Sequence, residues 1–272
     1  MSSQISICIP SYNNEAYIAA TINSVLNQSY TNFELIIVDD CSKDKTWDII
    51  NSFNDARIKV YQNEKNLGMH GNWIKVLSLA SGEYIKLLCG DDIIYPLCLE
   101  LQINSFQKPE NNDLVMVVCR RKIITASGEV MFGSFYKLRP GKYSGKAAMR
   151  YCAFFGTNLI GEPMSVLFKS SIFKQNQIAL GSNNYLIDLD LYSKLLKYGS
   201  LIVLKDFLAA FRIYSTSMSG SLGWKHAGYF KDFIYEERFK KDFGLAWYHR
   251  AFGTFVTYGI TLARNVIIKL SP

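Results

Sequence analysis

Over its first hundred residues the chain alternates short apolar runs with amphipathic segments, joined by connections of a few residues. Ile5 to Ile9, Glu34 to Val38, Ile58 to Tyr61 and Tyr84 to Leu88 read as strands, being short and rich in strand formers. Helices are expected between them over Ala16–Asn27, Thr46–Phe53 and Asn72–Leu79. Ile18, Ile22, Val25 and Leu26 form the inner face of the first, and Asn13 or Asn14 is its expected cap. Strands with so little polar alternation need cover on both faces. The pattern therefore predicts an α/β fold, with a mixed, mainly parallel sheet between two layers of helices.

In such sheets ligands gather beyond the carboxyl ends of the strands. Those ends carry Pro10-Ser11-Tyr12, Asp39-Asp40 and Asp91-Asp92, three polar clusters on one sheet edge. Adjacent carboxylates repel, and burial without partners is costly, so a cation or the hydroxyls of a ligand would relieve them. An Asp-Asp pair at a strand end also reads as a turn that caps the next helix. Convergence of three such clusters is what favours a site.

Other chemistries find no support. No GxGxxG follows the first strand, no HExxH or GxSxG occurs, and the three histidines (70, 226 and 249) are isolated. Gly141 to Ala147 falls one residue short of a phosphate loop and lacks its Ser/Thr. The six cysteines are scattered without a CxxC pair, several inside apolar runs, which fits a reducing cytosol and not a zinc site. The N-terminus has neither the basic nor the apolar segment of a signal peptide. A net charge of +7 is not arranged as a nucleic-acid-binding arm, so no nucleic-acid partner is expected. What remains is carboxylates at strand ends. Asp39-Asp40 would accept from a base or ribose, and Asp91-Asp92 would help hold Mg²⁺ or Mn²⁺ against a diphosphate.

Ile5 to Glu15, Leu35 to Asp44, Asn66-Leu67-Gly68, and Gly82-Glu83-Tyr84 before Asp91-Asp92 together resemble family 2 glycosyltransferases, which have the GT-A fold. The match covers about residues 4–95 and continues more weakly to about 220. The run from Asn66 through Asn72-Trp73 to Asp92 is most similar to bacterial enzymes of O-antigen and capsule synthesis. The resemblance implies inverting transfer of a sugar from a nucleotide-diphosphate donor, with UDP the first expectation. It also implies a glycan or undecaprenyl-diphosphate-linked acceptor. Pro10, Ser11, Tyr12, Asp39, Asp40 and Asn66 would then line the nucleotide site. Asp91 would face the ribose or donor sugar, and Asp92 the metal, Mn²⁺ or Mg²⁺. Cys89 stands where the family's run usually has a third carboxylate.

In the family a Glu-Asp pair before a glycine-terminated helix supplies the general base. Here Ile187-Asp188 precedes the helix Leu189–Tyr198, so Asp188 is the expected base, with Asp190 as the weaker candidate. Glu162, in Gly161-Glu162-Pro163, would accept from an acceptor hydroxyl. Arg212 and Tyr214, in place of an Arg-x-His run, would bind phosphate, although Arg212 equally suits a buried carboxylate.

The regular alternation breaks beyond Phe106. A strand at Leu114–Val118, a hairpin over Arg120–Phe132, a helix over Ala147–Phe155 and a strand at Met164–Phe168 are expected. Ser170–Gln175 reads as a short helix, and Leu201–Leu204 and Leu208–Tyr214 as two strands. The predicted division is a catalytic domain over 1–220, with a donor half to 110 and an acceptor half from 111, then a helical extension over 221–272. Aromatics and bases mix in that extension as in an interfacial helix, which predicts peripheral contact with the inner face of the plasma membrane. Packing on the catalytic domain and homodimer formation are the other readings of it. The rival functions are a catalytically silent nucleotide-sugar-binding subunit, suggested by Cys89, Ile187 and Tyr214, and a sugar nucleotidyltransferase.

Overall fold

The structure, a computed structural model, describes residues 5–133, 138–214 and 224–270. The first half runs β1 (Ile5–Ser11), α1 (Ile18–Leu26), β2 (Phe33–Asp39), α2 (Thr46–Asn51), β3 (Ile58–Gln62), α3 (Gly68–Ser78) and β4 (Tyr84–Leu87). β1 to β4 are parallel and lie in the order 3-2-1-4. The chain first builds outward from β1 through β2 and β3, then returns to place β4 on the other side. That reversal opens a crevice beyond the ends of β1 and β4.

Period-two side chains explain the layers. Ile5, Ile7, Ile9, Leu35 and Ile37 point to one face and pack with Ile18, Ile22 and Val25 of α1 and Leu99 and Ile103 of α4 (Cys98–Phe106). Cys8, Ile36, Val38, Ile85 and Leu87 point to the other and pack with Trp73, Val76 and Leu77 of α3. Both faces are therefore dry, as the apolar strands require.

The second half extends the same sheet. β5 (Ile93–Ile94), β6 (Leu114–Ile124), β7 (Val130–Gly133), β8 (Gly141–Ser144), β9 (Val166–Lys169) and β10 (Ser200–Arg212) join it, giving the main order 3-2-1-4-9-6-10-5. β9 is antiparallel to both β4 and β6, so the sheet is mixed there. The two strands expected between Leu201 and Tyr214 are one, since β10 follows β6 in parallel through register shifts near residue 207. The expected hairpin is present: β6 pairs antiparallel with β7 from Lys122 to Ile124 and the chain turns over 125–129 around a left-handed Gly128, while β6 also pairs with β10. Gly141 to Ser144 is a strand and Ser144 caps α5 (Gly145–Phe154), which disposes of a phosphate loop.

α6 (Ser170–Gln175), α7 (Ile187–Leu195) and three C-terminal helices, α8 (Lys225–Tyr235), α9 (Glu237–Phe243) and α10 (Trp247–Leu270), complete the chain. The C-terminal helices add Phe230, Phe233, Phe239 and Phe243 to the core shared by α5 and α7. α10 lies close on α5. A Cβ on Gly253 would fall 1.7 Å from the Ala153 carbonyl oxygen, so only glycine permits this approach. The extension therefore packs on the body of the chain, one of the alternative readings of it. The boundary expected at residue 220 lies outside the described residues.

Candidate active site

The crevice between β1 and β4 is built by close backbone approach. A Cβ on Gly90 would sit 2.6 Å from Asn14 Oδ1 and 3.3 Å from Ser11 Oγ, so the turn after β1 and the Gly90-Asp91-Asp92 segment are in contact. Thr21 Oγ1 donates to the carbonyls of Gly90 (3.0 Å) and Asp92 (2.8 Å), fastening that segment to α1. Neither Asn13 nor Asn14 caps α1 through its side chain. Asn14 Oδ1 instead accepts from Ser11 Oγ and Tyr12 N, both at 3.1 Å, and Asn13, at positive φ, accepts from Lys43 N. The asparagines close the turn because its own polar groups lie nearer than the helix start.

Asp39 and Asp40 are buried in this crevice wall. Asp39 accepts from Ser42 N (3.1 Å), Ser42 Oγ and Gln62 Nε2 (3.0 Å). Asp40 Oδ1 accepts from Asn63 Nδ2 and Leu67 N, both at 2.8 Å. Asn66 Nδ2 donates to the Asp40 carbonyl, and Asn72 Nδ2 to those of Val38 and Ser11. Both carboxylates thus brace the loop at this end of the crevice, while Tyr12 and Asn66 present open surface there.

The second carboxylate pair is held by the end of β10. Tyr214 Oη donates to Asp91 Oδ2 at 2.9 Å, and Arg212 N to Asp92 Oδ1 at 3.1 Å. The Arg212 guanidinium gives Nε to the Asp91 carbonyl and Nη1 to those of Thr125 and Ala126, and it lies over the Tyr17 ring. Its geometry is that of a clamp on backbone, a different task from the expected phosphate contact. Tyr214 likewise meets a carboxylate.

Asp92 is 1% exposed, and its Oδ2 has no hydrogen-bond partner. Burial, and next the charge of Asp91, push its carboxyl well above the ordinary range. An orphaned, buried carboxylate oxygen beside a second carboxylate suits a hard divalent cation. Among the described residues no three His, Cys, Asp or Glu side chains gather as a complete ligand set. The residues therefore fit an ion held by Asp92, with Asp91 beside it.

The acceptor half supplies two more carboxylates. Asp188 lies in the first turn of α7, where Oδ2 accepts from Asn158 Nδ2 (3.0 Å) and Oδ1 from Leu189 N (2.7 Å). Asn158 Oδ1 in turn accepts from Ile160 N and Gly161 N, so one asparagine orders this loop and touches the candidate base. Glu162 is ion-paired with Arg121 on β6. Cys89 lies within electrostatic range of both pairs of carboxylates. After burial itself, the negative fields of Asp92, Asp91, Asp188 and Glu162 each push its thiol up. Asp190, the weaker candidate, is turned away and accepts from Lys194 (2.6 Å) and Arg238. Asn158, Arg121 and Thr21 went unmarked in the sequence because a lone polar residue in a loop or on a helix carries no pattern.

The family described as Glycosyl transferase family 2 matches residues 6–170. The chain belongs to glycosyl transferase family 2. Within that family it is 31% identical over 218 residues to an uncharacterised glycosyltransferase of Rickettsia typhi, covering 80% of this chain and 66% of that one. The chain thus spans just under two thirds of that relative's length. It is 29% identical over 246 residues to the Escherichia coli UDP-Glc:alpha-D-GlcNAc-diphosphoundecaprenol beta-1,3-glucosyltransferase WfaP, covering 90% and 89%. Its fold is that of the GT-A glycosyltransferases. Residues 1–349 of Staphylococcus aureus TarS in complex with UDP-GlcNAc superpose with a TM-score of 0.68 at 20% identity, over 97% of this chain and 73% of that fragment. A Pyrobaculum calidifontis mannosyltransferase in complex with GDP-Man and Mn²⁺ gives 0.66 at 11% identity, over 98% and 74%.

Proposed function

We propose that the protein is an inverting glycosyltransferase of bacterial surface-polysaccharide synthesis. It moves a sugar from a nucleotide-diphosphate donor to a hydroxyl of a glycan or undecaprenyl-diphosphate-linked acceptor. The carrying observation is the buried Asp92 Oδ2, left without a partner beside Asp91 at the strand ends, with Asp188, held by Asn158, and Glu162 within electrostatic range of the same Cys89. The activity of the E. coli relative WfaP supports UDP as the carrier and a lipid diphosphate as the acceptor class.

In this reading the nucleoside lies against Tyr12 and Asn66, on the loop braced by Asp39 and Asp40, and Asp91 faces the ribose or donor sugar. Asp188 takes the proton of the acceptor hydroxyl as its oxygen bonds the anomeric carbon from the face opposite the leaving group. The bond from that carbon to the diphosphate oxygen breaks, and the nucleoside diphosphate leaves with the electron pair. Asn158 keeps the Asp188 carboxylate aimed. A divalent cation, when bound at Asp92, supplies charge stabilisation to the departing diphosphate. Glu162, fixed by Arg121, accepts from a second acceptor hydroxyl.

No helix among the described residues is long and apolar enough to cross a membrane. We place the enzyme on the cytoplasmic face as a peripheral protein. A panel of UDP-, GDP- and dTDP-sugars, read by thermal shift with and without Mn²⁺, tests the donor assignment, because a ligand of the native state raises its melting temperature. A UDP-sugar should give the largest rise. No rise with any nucleotide sugar would contradict the reading.

A further inference from the structure

The outer face of α10 is apolar throughout its described part. Between residues 247 and 262 every exposed position is uncharged. Trp247, Ala251, Phe255, Tyr258 and Leu262 recur at helical spacing on one stripe, with Trp247 74% and Phe255 76% exposed. Tyr248 and Phe252 widen it. The opposite face is fully engaged, through Gly253 on α5 and Thr261, whose hydroxyl meets His226 of α8 at 3.0 Å. α10 is therefore fixed to the body with a wide aromatic surface turned outward.

Its composition selects the occupant. A seam between two copies of a helix favours branched aliphatics. Here five of the exposed side chains are aromatic, and Leu262 is the one large aliphatic among them. Trp and Tyr are side chains that prefer the water–hydrocarbon boundary of a bilayer. Bases border the start of the helix. Arg150 donates to the carbonyls of Phe243 and Gly244, and a Cβ on Gly244 would be 3.5 Å from Lys146 Nζ. Exposed Lys225 and Lys231 lie on α8, against which α10 packs. This is an apolar helix face with a basic border, the arrangement of a helix lying in an anionic bilayer surface.

A groove of about 400 Å³ opens between this helix and the segment after α5, lined by Phe155, Thr157 and Leu159 on one side and Phe255, Val256 and Ile260 on the other. Thr157 and Leu159 flank Asn158, the residue that donates to Asp188. The apolar groove and the candidate base thus share one loop.

We propose that α10 docks in the plane of an anionic bilayer through Trp247, Phe255, Tyr258 and Leu262, bringing the Asn158 loop and Asp188 to headgroup level. The proposal deepens the lipid-linked acceptor reading above, on which its functional meaning rests. It is tested without donor, acceptor or turnover, so either reading can fail while the other stands.

The test is flotation of the full chain with vesicles of phosphatidylethanolamine and phosphatidylglycerol, beside pure phosphatidylcholine. The protein should float with the anionic vesicles. The double variant Phe255→Ser, Leu262→Ser should lose binding about tenfold or more. Tyr61→Ser, which removes an exposed aromatic on β3, should float as wild type. Equal melting temperatures would show that the variants are folded, as expected for exposed positions. Wild type left in the soluble fraction with both vesicle types would overturn the proposal, as would undiminished flotation of the double variant. So would a dimer by light scattering that the double variant dissolves in a chain that does not bind vesicles.

Discussion

Tyr214 Oη donates to Asp91 Oδ2 at 2.9 Å, across 123 positions of sequence. Two residues earlier on the same strand end, Arg212 N donates to Asp92 Oδ1. The end of β10 therefore holds both carboxylates of the donor half, and one segment of the acceptor half sets where they point. Tyr214→Phe removes one hydrogen bond to a carboxylate and leaves the ring, at 5.1 Å from Tyr17, in place. Steady-state kinetics should show kcat lowered about tenfold, near 1.4 kcal/mol, and a urea melt should show a loss of about 1 kcal/mol.

Asp92 Oδ2 is a buried oxygen of this pair with no hydrogen-bond partner. With UDP present, Mn²⁺ should raise the melting temperature of wild type and EDTA should reverse the rise. Asp92→Asn keeps the size of the side chain and should abolish the Mn²⁺ increment while nucleotide alone still stabilises. An increment retained in the variant would place the ion elsewhere.

Glu34 is a buried strut beneath the sheet edge. It accepts from Ser6, from Ser81 N (2.8 Å) and Oγ (2.7 Å), and from Lys59 (2.7 Å). Burial pushes its carboxyl up, but the hydrogen bonds from Lys59, Ser6 and Ser81 outweigh it and hold the group down at about 2, against an ordinary 4.5. A depressed carboxylate adds stability above its unfolded value. That contribution is full above pH 4.5 and is lost as pH falls toward 2. Urea melts at pH 7 should show Glu34→Gln less stable by about 3 kcal/mol, a gap that narrows through this window.

Asp190 joins the helix of the candidate base to the C-terminal extension. It is 6% exposed and accepts from Lys194 on α7 and Arg238 on α9. Arg238→Ala leaves a buried carboxylate with one of its two cationic partners and should cost about 2 kcal/mol in a urea melt. Arg238→Lys should recover part of that loss. An Arg238→Ala chain as stable as wild type would show the extension to be an independent appendage.

The donor half was legible because its signals are local. Ile5, Ile7 and Ile9 alternate with residues that face a second dry layer, and the strand ends carry their polar residues in sequence. The acceptor half reads less well because its structure is fixed at long range. β6 and β10 run on through Arg120 and Phe207 by pairing with each other across some 90 positions, where propensity alone breaks each of them. The site shows the same division. Asp91, Asp92 and Asp188 stood out as carboxylates at element ends, but nothing near Arg212 in sequence announces carbonyl partners at 125 and 126. Asn13 and Asn14 misled for the opposite reason, since a turn one residue away competes with the helix for the same side chains.

In the proposed reaction Asp188 removes the acceptor proton at a site whose donor side is built separately, by β1, β4 and the end of β10. Single-turnover transfer from the UDP-sugar chosen by the thermal-shift panel, compared for wild type and Asp188→Asn at saturating donor, tests it most directly. The account predicts a fall of about 10³-fold in the transfer rate with donor affinity within about threefold of wild type. Near-wild-type transfer by Asp188→Asn would contradict it.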